Sequence, residues 1–214
     1  MPGDVAEIAR LIEEPGVSVT CERGCESGLG RIIERARQGD AAAFDDVMIH
    51  YQRRVVNTAR RMLGNQEDAR DAAQEVFLRL FKYLKSYKQG QDFDGWLYRI
   101  VINVCRDLAR KRPPTAISSC EAERGFRKLD DIAATGDIED QAIQSQHRSI
   151  VAEALATLST KEREALVLRD LEGFSTEEVA KLLGSSQTTV RSQVCSARRK
   201  IKLFKDRLTK QRRG

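Results

Sequence analysis

Residues 158–201, LSTKEREALVLRDLEGFSTEEVAKLLGSSQTTVRSQVCSARRKI, carry the pattern Ser-x-x-Glu twice, at Ser159–Glu162 and Ser175–Glu178. Each pair is a capping box, in which a hydroxyl and a carboxylate satisfy the orphan N–H groups at a helix start. Gly173 and Gly184 stand where the two helices must end, since glycine accepts the left-handed backbone of a tight exit. Leu166, Leu171, Val179, Leu182, Leu183 and Val190 fall where three short helices share one small core. A third helix follows, with Val190, Val194, Ala197 and Ile201 as its inward stripe. Its other side carries Thr188, Arg191, Ser192, Cys195, Ser196 and Arg199. Two capped helices and a third with a hydroxyl- and arginine-bearing face are the sequence form of a helix-turn-helix, which places side chains in a DNA major groove.

The charge around this element agrees. From Ser186 to Gly214 there are ten Lys or Arg against one acid, Asp206. Arg191 and Arg199 suit guanine edges or phosphates, with Arg198 and Lys202 as flanking phosphate contacts. The last few residues, Lys210 to Gly214, read as a solvated tail. Over the whole chain of 214 residues the net charge is only +5, so the clustering is the informative part.

Upstream lies a second helical block. Asp40 is placed to cap a helix through Phe44, Val47, Met48, Tyr51, Val55 and Ala59, which Gly64 closes. Asn65 caps the next, with a buried stripe of Ala73, Val76, Phe77, Leu80, Phe81 and Leu84. Ser86 to Asp92 reads as a loop, and helical periodicity returns from Phe93 to Arg110. Pro113-Pro114 stops helix formation, and the locally acidic segment after it lacks apolar periodicity until about Ile138. The expected organisation is all-α, two small helical domains joined by a flexible linker. The boundaries are an N-terminal extension at 1–29, broken by Gly24, Gly28 and Gly30, a first domain at 30–112, the linker at 113–137, and a second domain at 138–214. Within the extension, Asp4 to Glu14 has the spacing of a short amphipathic helix ended by Pro15-Gly16.

On the helix from Phe93 to Arg110, Phe93, Leu97, Ile100, Val101, Val104 and Leu108 gather on a core face at about 100° per residue. Away from it lie Trp96, Arg99, Asn103, Arg106 and Arg110. Cations for a backbone, a flat aromatic for an unstacked base and an amide for a base edge are what single-stranded nucleic-acid binding requires. A tryptophan packed into the bundle, flanked by solvated arginines, fits the same residues equally well.

AFDDVMIHYQRRV, EDARDAAQEVFLRLF and FDGWLYRIVINVCRDLARK together resemble the second conserved region of bacterial sigma factors. ALATLSTKEREALVLRDLEGFSTEEVAKLLGSSQTTVRSQVCSARRKI resembles their fourth region. With only these two blocks and a short linker, the chain is similar to the extracytoplasmic-function (ECF) subfamily of sigma-70-type factors, over about Gly30 to Arg207. The resemblance implies a factor that binds core RNA polymerase, reads and melts a downstream promoter element with the first block, and reads an upstream element as duplex with the second. Glu67, Asp71, Gln74 and Glu75 then form the polar face of a polymerase-binding helix, with Asp71, Gln74 and Glu75 at the matching positions, and Trp96 and Asn103 match positions of strand melting, Asn103 for base contact. The family pattern often has Gly where Thr188 stands and Arg at Gln193 and Ser196, so the upstream sequence read is this chain's own. The resemblance also implies an anti-sigma partner. A stand-alone helix-turn-helix regulator accounts for the second block and leaves the Trp96–Asn103 stripe and the acidic helix unexplained.

No acidic residue is paired with a nucleophile, a metal-ligand pattern or a glycine-rich phosphate loop, so neither an enzyme nor a cofactor is expected. Cys21 and Cys25 have i, i+4 spacing but lack a second Cys/His pair to complete a metal site, and His50 and His147 are isolated on different blocks. Five mostly isolated cysteines fit free thiols in a reducing compartment. With no apolar run of membrane-spanning length and no signal pattern, a cytoplasmic location without membrane insertion is expected.

Overall fold

A computed structural model describes residues 26–88, 90–111 and 149–211, and every described element is helical. These residues form two compact units, 26–111 and 149–211. The amphipathic segment expected at Asp4–Glu14 and the linker expected at 113–137 lie outside the described residues.

The first unit contains α1 (Glu26–Arg37), α2 (Ala41–Leu63), α3 (Gln66–Tyr83) and α4 (Phe93–Lys111), with a single 3-10 turn at Leu84–Ser86. Helix α1 starts four residues before the expected boundary and takes Gly28 and Gly30 into its first turns. Neither glycine breaks it, because a glycine inside a helix costs only about 1 kcal/mol, which packing of α1 against α2 outweighs. Helix α2 begins as its sequence dictates: Asp40 Oδ1 accepts the Ala43 N–H at 3.1 Å. It ends at Gly64, whose φ of 74° turns the chain so that its own N–H closes on Arg60 O. Asn65 then caps α3 by accepting the Glu67 N–H at 2.9 Å. A connection this short makes α2 and α3 antiparallel neighbours, and α4 packs across both.

Val47, Val55, Val76, Leu80, Leu97, Tyr98 and Val101 lose essentially all solvent contact and form the core of this unit. Each such burial stabilises by about 1.5–3 kcal/mol. Helix α4 buries Tyr98, Ile102 and Cys105 in addition to the expected stripe, while Ile100 and Leu108 are only half-buried. Phe81, expected in the core, is 67% exposed, and Phe77 is half-buried. Phe81 lies at the outer edge of the α2–α3 contact, its ring edge-on to Phe44 at 5.1 Å.

The second unit runs through α5 (described over 149–156), α6 (Thr160–Leu166), a π-helical turn (Val167–Leu171), α7 (Thr176–Leu183) and α8 (Gln187–Gln211). Both capping boxes form. Ser159 N–H donates to Glu162 Oε2 at 2.9 Å and Glu162 N–H to Ser159 Oγ at 3.4 Å. At α7, Ser175 N–H donates to Glu178 Oε2 at 2.6 Å, with the reciprocal bond at 3.2 Å. A third cap begins α8, where Thr189 N–H donates to Ser186 Oγ at 3.1 Å. Gly184, at φ 64°, makes the turn between α7 and α8. Leu166, Val179, Val190 and Ile201 are buried as expected, whereas Leu182 and Leu183 are half-exposed on a helix only two turns long.

Candidate nucleic-acid interface

Helix α4 is aimed by its first turn. Asp92 caps it, with Oδ2 accepting the Gly95 N–H at 3.1 Å and its carbonyl accepting the Trp96 N–H at 3.1 Å. Asp94 is gripped from α2: the Tyr51 hydroxyl donates to Oδ1 at 2.6 Å and Arg54 donates to Oδ2 at 3.2 Å. The Arg54 guanidinium lies over the Tyr51 and Tyr98 rings, at 5.8 and 5.4 Å. Burial, reinforced by the Asp94 charge, pushes the Tyr51 hydroxyl far above its ordinary range, so it stays a donor. The sequence places Tyr51 only in a core stripe and gives no sign of its pairing, or that of Arg54, with Asp94, because these partners lie about forty positions apart.

On this base the outer stripe of α4 is laid out. Trp96 is half-buried; its ring packs on Tyr87 at 5.4 Å and on Phe93 at 5.8 Å, with Phe93 continuing to Tyr51 at 5.5 Å. Tyr87 in turn donates its hydroxyl to the Gln91 carbonyl, closing the loop before α4. Trp96 is thus held by the bundle while part of it still meets solvent. Arg99, Asn103 and Arg110 are exposed and Arg106 is half-buried. The five residues share one helix side, with an aromatic corner at its start.

The second candidate surface is the outer face of α8. Thr188, Arg191, Ser192, Cys195, Arg199 and Lys202 are all exposed there. Two expected members are turned inward. The Ser196 hydroxyl donates to Glu162 Oε1 at 2.6 Å, and Lys200 donates to Glu162 Oε2 at 2.7 Å. Arg198 makes a bidentate pair with Asp170 at 2.7 and 2.8 Å, and that carboxylate is only 7% exposed. Both pairings have one cause. Where α8 packs on α6, side chains flanking its apolar stripe reach carboxylates of α6 and of the π-helical turn after it. Lys200 first, then Ser196 and the Ser159 N–H, hold the Glu162 carboxyl at about 2, below its ordinary 4.5.

On α3, Glu67, Asp71 and Gln74 are exposed, and Glu75 accepts from Arg79 Nε at 2.6 Å. Leu78 is 65% exposed and follows Asp71, Gln74 and Glu75 at helical spacing, with exposed Phe81 one turn beyond. Among the described residues no group of His, Cys, Asp and Glu suits a metal ion, and no helix is long and apolar enough to cross a membrane. Cys105 is buried and Cys195 exposed, while Cys21, Cys25, Cys120 and His147 lie outside the described residues.

An all-helical pair of units, one bearing a basic-aromatic stripe and the other a helix-turn-helix, has the makings of a nucleic-acid-binding protein, and comparison with known proteins narrows it. The family model of sigma-70 region 2 matches residues 47–113, and that of sigma-70 region 4 matches 148–201. The RNA polymerase sigma-H factor of Pseudomonas aeruginosa is 32% identical over 177 residues, covering 80% of this chain and 90% of the relative. The ECF RNA polymerase sigma-E factor of Escherichia coli K12 is 30% identical over 174 residues, covering 79% and 90%. The chain belongs to the ECF subfamily of sigma-70-type factors. Two solved structures share its fold. CnrH in complex with the cytosolic domain of CnrY aligns with a TM-score of 0.60 at 24% identity, over 83% of this chain and 96% of that one. The sigma factor RpoE with the anti-sigma factor NepR, from Bartonella quintana, aligns at 0.55 and 22%, over 76% and 96%.

Proposed function

We propose that this protein binds core RNA polymerase and directs promoter-specific transcription initiation. The observation that carries this reading is the pair of matched regions, each presenting an outward polar face on a helix its core holds in place. In the first unit (domain 30–112), Trp96, Arg99, Asn103, Arg106 and Arg110 bind the opened strand of the downstream element. Trp96 offers a stacking edge, Asn103 a base contact and the arginines phosphate contacts. In the second unit (domain 138–214), Thr188, Arg191, Ser192, Cys195, Arg199 and Lys202 meet the upstream element as duplex. We leave Ser196 and Arg198 out of that surface, since the Ser196 hydroxyl donates to Glu162 and Arg198 Nε and Nη2 donate to Asp170.

Polymerase docks on α3 through Glu67, Asp71, Gln74 and Glu75, with exposed Leu78 and Phe81 continuing the same face. The work is binding and strand separation, which calls for no catalytic group of its own. We place the protein in the cytoplasm with polymerase, and include an anti-sigma factor among its partners. That reading draws on the fold shared with a sigma factor solved together with one.

The test is transcription by purified protein with bacterial core polymerase on a genomic DNA pool, mapping the starts. Discrete starts sharing two spaced upstream motifs support the proposal. Absence of both transcripts and polymerase binding overturns it in favour of a stand-alone regulator.

A further inference from the structure

One guanidinium, that of Arg79 on α3, holds carboxylates from two helices. Its Nε donates to Glu75 Oε1 at 2.6 Å, one turn back on α3, and its Nη1 donates to Asp107 Oδ2 at 3.2 Å on α4. Asp107 follows Asn103 by one turn and Trp96 by three. At about 100° per residue it therefore lies on their side of α4. An acid there is unexpected. A carboxylate on this side repels the phosphates of any strand laid along Trp96, Arg99 and Asn103. Asp107 is 44% exposed and Arg79 33%, so the pair contributes little to stability. Its place on the helix matters more than its strength.

We propose that Arg79 is a positioning residue for strand binding: by pairing with Asp107 it cancels the one negative charge on the strand-facing side of α4. The pairing requires a guanidinium. Glu75 fixes the Nε edge from below, leaving Nη1 to reach Asp107 across the α3–α4 contact, a two-sided grip that a lysine ammonium does not reproduce. Arg79 touches no DNA in this scheme and acts through Asp107. The inference rests on α4 being the strand-binding helix.

The test uses the full chain with core polymerase, on a promoter mapped with the unaltered protein. Open-complex formation is measured by permanganate reactivity across a salt series, with polymerase affinity and the thermal midpoint measured alongside. Arg79→Ala is expected to lower opening several-fold, about 3- to 10-fold. It should also flatten the log–log salt slope by about 0.7, the value of one neutralised contact on a single strand. Adding Asp107→Ala to it should restore opening to within about twofold, with polymerase affinity and midpoint unchanged throughout. A double variant as weak as Arg79→Ala overturns the proposal and makes Arg79 a direct phosphate contact. A loss of opening that tracks polymerase affinity, and that Asp107→Ala does not relieve, overturns it in favour of a docking role through Glu75. If the unaltered chain neither binds polymerase nor opens DNA, the functional reading fails first, and this inference with it.

Discussion

A side chain on Gly95 would have to push the Asp92 carboxylate aside. A Cβ there would stand 2.6 Å from Asp92 Oδ2, the atom that accepts the Gly95 N–H and caps α4. Asp92→Ala, which removes that cap and leaves Gly95 as it is, is expected to cost about 1 kcal/mol. The thermal midpoint of the unit should fall by about 4–8 °C, measurable by circular dichroism. Asn103 behaves differently. It is exposed, so Asn103→Ala should leave the midpoint and polymerase affinity unchanged. Promoter opening should weaken about tenfold, the lower middle of the 1–3 kcal/mol range for a base-edge contact; normal opening would remove Asn103 from the strand-binding set.

At the scale of elements, α8 is seated by two polar clamps, Glu162 with Ser196 and Lys200, and Asp170 with Arg198. Neighbouring arginines thus have different jobs. Arg198→Ala strands the Asp170 carboxylate, which is 7% exposed, and should cost about 3 kcal/mol in a thermal or urea melt. Arg199→Ala, at an exposed position, should leave stability alone and reduce the salt slope of promoter-duplex binding by about 1. The Glu162 clamp predicts a pH window. Its carboxyl titrates at about 2 in the folded chain against an ordinary 4.5. A lowered folded value means stabilisation that is full above about 4.5 and lost as pH falls toward 2. Glu162→Gln should be less stable than the unaltered protein at pH 7, by about 2 kcal/mol. The difference should close between pH 4.5 and 2; a gap independent of pH would show that packing, and not charge, is what Glu162 contributes.

For the whole molecule, the two outward faces have separable effects. On a template whose downstream element is already unpaired by mismatch, Asn103→Ala should recover most of its activity, because the strand no longer has to be opened. Arg191→Ala should not recover there, since its loss falls on duplex recognition upstream. Arg191→Ala is also expected to change the upstream motif shared by mapped starts while leaving the downstream motif as it was. Equal rescue of both variants would contradict the division of labour between α4 and α8.

Helix placement was legible from local chemistry. Asp40, Asn65, Ser159 and Ser175 cap the helices their side chains predict, and Gly64 and Gly184 end them, because caps and exits involve residues within four positions of each other. Periodicity located the core of each unit and the outer stripes of α4 and α8 for the same reason: a helix turn is a local fact. What tertiary structure alone decided is which polar side chains remain outward. Ser196 and Arg198 face buried carboxylates on other elements, and Asp94 is held by Tyr51 and Arg54 from α2. Phe81 was placed in the core by its spacing and lies at an edge instead, while Arg79 and Asp107 meet only because α3 packs on α4. A sequence records each residue's capacity to pair. Which partner it meets depends on distances between helices far apart in the chain, and those exist only once the cores have closed.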